Sequence, residues 1–453
     1  MSTAAGYFLF WLIYSLLLSY LFDRRFFYGG GKLIRLIQFE MKKLWRSSYF
    51  MWLLMVLVVV VLAFYVYIYA NTTSIDTEIT KQQDSIYTTE QHIAELNKKI
   101  EAGIKEPGVN LEKEVGLYNE MLATDYLILN ALEQQDWSAY FSLLTKNHEY
   151  AVQIANGELL QQSYNTYMWP TPYTTISLGE KYAWMQKYVV EPVFPIHTFS
   201  WMTTYDEEFS DAIVENFVLT SSNKHSSTGL YFSYELFAYG LSLIGIVYFL
   251  FLFSDLVTKE GYGRNGPIQF LWTQPIKRYQ ILMVKLIAVM VISIMLLALV
   301  WGLAMLLGIT FNNGGDWYYP VLIYGENNHL SFIGMGLFLL KSFSLFLMFL
   351  LFSYSLLFLF SVLTNRAIIA LGLTIMTIFV GIQIINQSLT FTYTQWVPFH
   401  YVNVFEVVSN EYAVRHDQFA ISYETGMLTL FVGSVIILLF TFVLSKLKQG
   451  GIR

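Results

Sequence analysis

Long apolar stretches constrain the fold of this chain more than any other feature of its sequence. A helix needs about 20 mostly apolar residues to cross a bilayer, and seven stretches reach or approach that length. They are residues 6–22, 48–69, 232–254, 283–309, 332–362, 367–386 and 423–445. Only 13% of the residues are charged, about half the share of a soluble domain. The sequence therefore predicts an all-α polytopic membrane protein of about seven transmembrane helices, with a six-span core and one extra N-terminal helix.

The first stretch, residues 6–22, could also be the apolar part of a secretory signal peptide. Arg24 and Arg25 follow it, however, whereas a signal peptide carries its basic residues in front, and no A-x-A cleavage site is found. We therefore predict that residues 1–31 form a retained transmembrane helix and a joint, with the amino terminus outside.

The uneven distribution of charge predicts which loops face the cytoplasm. Cytoplasmic loops are rich in Lys and Arg, and residues 23–46 carry seven of these against two acids. Residues 255–285 carry five against two, and the tail after residue 445 has three bases and no acid. Residues 71–231 hold 22 acids, nine Lys and no Arg, so we predict that they form a large extracytoplasmic domain. The carboxyl terminus of this multi-pass plasma-membrane protein is then cytoplasmic.

The first part of the predicted extracytoplasmic domain has a heptad pattern. Isoleucine recurs every seventh residue, at Ile79, Ile86, Ile93 and Ile100. Glu106-Pro107-Gly108 then breaks the helix before a second helical stretch at about residues 111–135. We predict an antiparallel helical hairpin resembling a coiled coil, which is either a spacer or dimer contact or a clamp for a substrate. No fold is predicted for residues 136–231.

Residues 32–46 form an amphipathic segment in front of the span within residues 32–70. At 100° per residue, its basic side chains fall within an arc of about 100° and its apolar side chains lie opposite. The basic residues are Lys32, Arg35, Lys42, Lys43 and Arg46. We predict a helix in the headgroup plane, with its cations against anionic lipid phosphates. The alternative is an ordinary extension of the following span.

The sequence lacks the motifs of common enzyme sites. Cysteine is absent, which excludes disulfides and thiolate chemistry. Residues 261–266 fit G-x-G-x-x-G but follow a membrane helix instead of a strand, and His148-Glu149 lacks the second His of H-E-x-x-H. We therefore predict a chain that is not an enzyme, with no catalytic residue, no metal site, no bound cofactor and no nucleic-acid partner.

The inner loop of residues 255–285 has an acid–glycine pair, a proline–hydrophobic–basic turn and a lysine that opens the next span. Its notable residues are Glu260, Gly261, Gln274, Pro275, Ile276, Lys277, Arg278 and Lys285. Because Pro275 lacks an N–H and restricts Gln274, it ends one helix and fixes the entry into the next. This loop resembles the first cytoplasmic loop of ABC-2-type permeases, and the architecture extends the resemblance over residues 32–449. The extra helix and the large outer domain depart from the usual pattern.

The resemblance implies a transporter driven by other subunits. In that family the loop docks on a cytoplasmic ABC ATPase, which binds ATP and Mg²⁺, so residues 260–261 and 274–278 are implied to couple ATP hydrolysis to movement of the spans. The resemblance implies a bacterial exporter that pairs with a second permease copy and is surrounded by membrane lipids. It would move an amphipathic peptide, lipid or antibiotic-like molecule by alternating access. Alternatively, Lys277 and Arg278 are only positive-inside anchors.

Three polar residues inside predicted spans are candidates for the transport pathway: Lys341, Gln383 and Asn386. A charged group at the bilayer centre costs about 2.5–3.5 kcal/mol on insertion scales, so such residues are usually functional. Lys341 could instead lie near the outer end of its long span and reach the interface.

Residues 232–309 supply two spans and residues 310–453 three more, with short outer helices near residues 387–422.

A different class of function also fits the predicted spans. A membrane scaffold or receptor would use the outer coiled coil to bind a partner or ligand, and would use the spans only as an anchor. Such a protein needs no docking loop and no ATPase, so co-purification with an ATPase separates the two hypotheses.

Overall fold

A computed structural model describes residues 32–103, 111–155, 170–206, 215–216, 218, 220, 224–254, 278–364, 366–387 and 394–450. The helices are α1 (Lys32–Trp45), α2 (Ser48–Asn71), α3 (Ile75–Glu101), α4 (Leu111–Glu133), α5 (Trp137–Ala155), α6 (Pro172–Tyr188), α7 (Gly229–Gly240), α8 (Leu243–Phe253), α9 (Arg278–Phe311), α10 (Met335–Thr364), α11 (Ala367–Gln387), α12 (Val404–Val408), α13 (Glu411–His416) and α14 (Tyr423–Gly450). Two strands, β1 (Pro320–Tyr324) and β2 (Leu330–Gly334), lie between α9 and α10.

Five of the described helices are long and apolar enough to cross a membrane: α2, α9, α10, α11 and α14. Each coincides with a predicted span to within a few residues, because these apolar runs match the bilayer in length. The chain is therefore a polytopic helical membrane protein. The predicted extra helix at residues 6–22 lies outside the described residues.

The predicted span at residues 232–254 is not one straight helix. α7 and α8 meet at an angle of 74°, and together they are either a broken span or a re-entrant segment. Ser242 is extended between them, and its hydroxyl accepts a hydrogen bond from the amide of Ile244. A Cβ on Gly245 would lie 1.8 Å from the carbonyl oxygen of Gly240, so only glycine permits this bend. The sequence did not predict the bend, because hydropathy reports composition and not direction, and a span at residues 232–254 stays a prediction.

The long helices differ in how much of their apolar surface is covered. In the most apolar window of α10, 72% of the residues are buried, against 22% for α2 and 28% for α11 and α14. α10 therefore lies at the centre of the bundle and packs against α9, α11 and α14. The exposed apolar faces of the outer helices, including Val59, Met376 and Ile436, suit contact with lipid.

A helical domain, here called the inter-span domain (residues 75–206), follows α2. Only residues 72–74 separate α2 from α3, so the chain passes from the span directly into this domain. α3 packs against α4, and Ile86 and Ile93 are buried as the heptad pattern predicts. Gln82, which interrupts the pattern, donates a hydrogen bond of 3.3 Å to the carboxylate of Asp125. α5 and α6 then pack against each other to complete the domain.

A short β-ribbon departs from the all-α prediction. β1 and β2 pair antiparallel, with Pro320 opposite Gly334 and Tyr324 opposite Leu330. Their turn contains Asn327 and Asn328, both at positive φ, a conformation that asparagine adopts more readily than most residues. The ribbon displaces the start of α10 from the predicted residue 332 to Met335.

Candidate functional site

The described part of the predicted coupling region is the junction between α1 and α9. Lys285 lies two turns into α9, and its Nζ is 3.0 Å from Oε1 of Glu40 on α1. Both side chains are almost fully buried, with exposed fractions of 2% for Lys285 and 4% for Glu40. Removing one partner of a buried ion pair leaves the other charge unpaired in apolar surroundings. The pair therefore holds α1 and α9 together at this point.

Glu40 is buried because of its place on α1. It lies three residues after Ile37 and four before Leu44, so helical spacing puts it on the apolar side of an otherwise basic helix. Only Oε1 bonds Lys285, and Oε2 has no hydrogen-bond partner in the described chain. Phe39, by contrast, is 58% exposed. The inner face of α1 thus combines apolar packing with one specific charge contact.

The predicted membrane-surface residues lie on the other side of α1 where the structure describes them. Lys42 and Arg46 are exposed, and Lys43 is half-buried. Lys32 and Arg35 belong to the same helix, but their side chains lie outside the described part. Contact of this face with lipid headgroups stays a prediction.

The predicted coupling residues themselves fall almost wholly outside the described residues. These are Glu260, Gly261, Gln274, Pro275, Ile276 and Lys277, and of Arg278 only its place at the start of α9 is described. The two ends of the loop contact other helices. Phe253, the last residue of α8, packs on Phe50 of α2 with ring centroids 6.4 Å apart, and Lys285 pairs with Glu40. Both ends are therefore attached to the α1–α2 unit.

The candidate pathway residues occupy different settings. Lys341 lies in the second turn of α10, with its Nζ 5.4 Å from the ring centroid of Tyr423 at the start of α14. Gln383 is exposed on α11, and the side chain of Asn386 lies outside the described part. No hydrogen bond or ring contact of the described residues joins Lys341 to Gln383. A buried polar pair inside the bundle is formed by Ser293 and Tyr354, whose oxygens are 2.8 Å apart.

The sequence drew attention to Lys285 but missed Glu40. A single acid on the apolar side of an amphipathic helix was the available signal. α12 and α13 lie within residues 387–422, where short outer helices were predicted, and their position on the outer side stays a prediction. Within the described residues, no cluster of three or more His, Asp or Glu could hold a metal ion.

Comparison with known protein families identifies a related family. A family model described as an ABC-2 family transporter protein matches residues 34–445, from the first turn of α1 to the end of the last span. Comparisons with curated proteins and with solved structures give no match. ABC-2 permeases are membrane transport components that associate with an ABC ATPase subunit and are not themselves the catalytic subunit. The match covers nearly the whole chain, so the chain belongs to the ABC-2 family of transporter proteins.

Proposed function

We propose that this chain is the permease subunit of a bacterial ATP-driven exporter that moves an amphipathic molecule, such as a peptide, a lipid or an antibiotic-like compound, by alternating access. Family membership supports an ABC transporter permease in general. In our proposal a second copy of the chain completes the pathway, and two cytoplasmic ATPase subunits bind ATP and Mg²⁺. The buried Glu40–Lys285 pair is the observation that carries the proposal.

The ion pair gives the proposed coupling a mechanical route. The loop between α8 and α9 precedes Lys285 by a short distance, so a push on that loop moves the start of α9. Because Lys285 is bound to Glu40, α1 must move with α9. α9 has 34 residues, or roughly 50 Å at 1.5 Å per residue, which exceeds the bilayer core of about 30 Å. A movement at its start therefore reaches the far side of the membrane.

The far end of α9 is in close contact with α7. A Cβ on Gly308 would lie 2.1 Å from the backbone nitrogen of Gly229, so the two backbones touch there. The amide of Gly229 also donates a hydrogen bond of 2.9 Å to the carbonyl of Asn313, just after α9. This contact links α9 to the half-helix that follows the inter-span domain. Displacement of α9 thus changes the position of α7.

The proposed orientation places α1 in the cytoplasm and the inter-span domain outside. Because the chain has no cysteine, single cysteines can report it directly. We expect Lys98→Cys on α3 to react with a membrane-impermeant maleimide in intact cells, and Lys42→Cys on α1 to react only after lysis. The reverse labelling pattern would overturn the orientation.

The coupling proposal is tested on the permease–ATPase complex in nanodiscs. The variant Glu40→Leu with Lys285→Met removes both charges together, and Pro275→Ala with Lys277→Glu changes the loop. We expect each variant to insert normally but to lower the ATPase activity that the permease stimulates. Lys446→Gln on α14 is the matched control for loss of a cytoplasmic base. Unchanged stimulation in both variants would contradict the coupling role.

Two further results decide between the transporter and a scaffold. An exporter accumulates its cargo in inside-out vesicles when ATP is supplied, and an importer does not. If no ATPase co-purifies with the chain, the scaffold or receptor hypothesis replaces the permease.

A further inference from the structure

A cavity of about 250 Å³ lies where the inter-span domain meets the membrane helices. Its walls come from four parts of the chain: the segment after α6, the start of α7, the β-ribbon with α10, and the short helices α12 and α13. The side chains that matter here are Trp201, Lys224, Tyr231, Tyr319, Phe405 and Glu411. Ligand sites often form at such boundaries between domains. The volume suits a small molecule or the head of a larger one.

Two lysines meet at the wall of this cavity. Lys224 lines it, and Lys181 of α6 lies within hydrogen-bonding reach of Lys224. Lys181 is only 2% exposed, and its Nζ lies 3.7 Å from the ring centroid of Trp201. The ring of Tyr319 is shared, with its centroid 5.9 Å from Nζ of Lys181 and 5.8 Å from Nζ of Lys224. Two amines are thus held together among aromatic rings.

The neighbouring carboxylates have other partners. Asp206 accepts hydrogen bonds from the amide of Thr171 and from Thr174 and Thr203. Glu411 is ion-paired with Arg415 at 2.7 Å. Among the described residues, no acid forms an ion pair with Lys181 or Lys224.

Electrostatics agrees with this geometry. Burial, reinforced by the adjacent Lys224, holds the pKa of Lys181 well below its usual value. Burial also lowers the pKa of Lys224 to about 8. A buried amine without a counter-ion loses its proton more easily because the charged form is poorly solvated. An anion bound to Lys224 in the cavity would reverse that effect, because it supplies the counter-charge.

We propose that this cavity binds the anionic head, a carboxylate or a phosphate monoester, of a single-chain amphipathic molecule at Lys224, with the buried Lys181 directly behind Lys224. The aromatic walls supply the apolar contact: Trp201, Tyr231 and Phe405 present rings to whatever follows the head. A cationic ligand is disfavoured, because the lysines repel it and Glu411 is already paired. The identification of this ligand as the cargo rests on the proposed function, whereas the binding itself does not.

Binding is measured on the full chain in phosphatidylcholine nanodiscs, without ATPase and without ATP. The probes are dodecanoate and dodecyl phosphate, with dodecanol as the neutral control and dodecyltrimethylammonium as the cationic one. Empty nanodiscs give the partition into lipid, which is subtracted. We expect saturable binding of at least one anion and none of the neutral or cationic probe. Preference for dodecanoate or for dodecyl phosphate identifies the head group, and either preference supports the site.

Variants locate the binding. We expect Lys224→Met to weaken anion binding at least about tenfold, since a charge-assisted hydrogen bond is lost. Lys187→Met is the control, because Lys187 is an exposed lysine on α6, the helix of Lys181, and its Nζ also lies near an aromatic ring, 5.1 Å from the centroid of Tyr188. Lys224→Arg keeps the charge and retains binding, which separates charge loss from misfolding.

The proposal is overturned if dodecanol binds as well as the anions, or if Lys224→Met binds them as wild type does. Loss of binding in Lys187→Met equal to that in Lys224→Met would also overturn it. None of these results depends on ATP. The site can therefore fail while ATPase coupling survives, and coupling can fail while the site survives.

Discussion

Buried lysines at two places in this chain have opposite surroundings. Near the start of α9, Lys285 is bound to Glu40 at 3.0 Å. Beside the cavity, Lys181 contacts Lys224 and aromatic rings, and no described acid forms an ion pair with either lysine. A buried charge is tolerated when it is paired, and otherwise its protonation shifts. Lys285 thus has its counter-ion within the chain, and we infer that Lys181 and Lys224 receive theirs from a bound ligand.

These different surroundings indicate a mechanical role for Lys285 and a binding role for Lys181 and Lys224. Removing Lys285 leaves a buried carboxylate without its partner, so the stability of the protein should fall. Removing Lys181 or Lys224 leaves no described acid without an ion-pair partner, so ligand binding should change more than stability. The predictions below test this contrast, beginning with the largest expected effect.

Lys285→Met should be the most damaging of these substitutions. It leaves Glu40 buried and unpaired, and breaking a buried pair in this way costs about 3–5 kcal/mol. We expect a marked fall in melting temperature, measured by fluorescence-detected size-exclusion chromatography after heating. The double variant Glu40→Leu with Lys285→Met should recover most of the loss. A single variant as stable as wild type would show that the pair does not hold α1 to α9.

In contrast to Lys285→Met, Lys181→Met should not lower the melting temperature. The substitution forfeits the cation–π contact with Trp201, which is worth about 0.5–2 kcal/mol. It also removes an amine that burial and a like-charged neighbour already disfavour in its protonated form. In the absence of ligand we expect a melting temperature equal to or above that of wild type. A fall comparable to that of Lys285→Met would mean that Lys181 is a structural lysine, and the contrast between the two regions would disappear.

The pH dependence of stability should reveal Lys224. Its pKa is about 8 in the folded chain against 10.5 ordinarily, so between these values the unfolded chain binds a proton that the folded chain lacks. Stability rises with pH wherever the unfolded state holds more protons. Wild type should therefore gain stability relative to Lys224→Met between pH 8 and about 10. Melting temperatures of both proteins at each pH measure this, and a constant difference would contradict it.

Several groups face Lys224 and must be considered in that measurement. They are Lys181, His197, Tyr231, Tyr319 and Glu411. Burial lowers the pKa of His197 and raises the pKa of Tyr319, so neither changes charge strongly between pH 8 and 10. All five are present in both proteins, and Lys224→Met changes the pKa of Lys181 and of His197 only by removing the neighbouring Lys224. Anion binding should weaken across the same range as Lys224 loses its proton.

The parts of the fold that the sequence predicted are those set by local composition. Five of the seven predicted spans are single long helices in the described residues, and the heptad isoleucines Ile86 and Ile93 are buried where α3 packs against α4. The bend at Ser242 and the ribbon at residues 320–334 were not predicted. The bend depends on the approach of Gly245 to Gly240, and the strands have only five residues each, too short to separate from the apolar run after them.

Residues of the sites could likewise be predicted only where they are neighbours along the chain. The basic loop was visible in the sequence because its residues are neighbours along the chain. Glu40 and Lys285 are 245 residues apart, and Lys181, Lys224 and Tyr319 come from three separate segments. No spacing rule brings such residues together, since only packing of the helices does so. The lone acid on the apolar side of α1 was the one local clue.

Lys341→Met should have the smallest effect, because Lys341 is not fully buried and forms no ion pair with a described acid. It is half-buried near the start of α10, and its Nζ lies over the ring of Tyr423, whose hydroxyl is 2.8 Å from Oγ of Ser344. An exposed cation–π contact is worth about 0.5–1 kcal/mol. We expect a small shift in melting temperature and unchanged ATPase stimulation, with Tyr423→Phe as the control that keeps the ring. If transport is lost while stability is kept, Lys341 lines the pathway, and partial exposure at a helix end would then mark function as clearly as burial does.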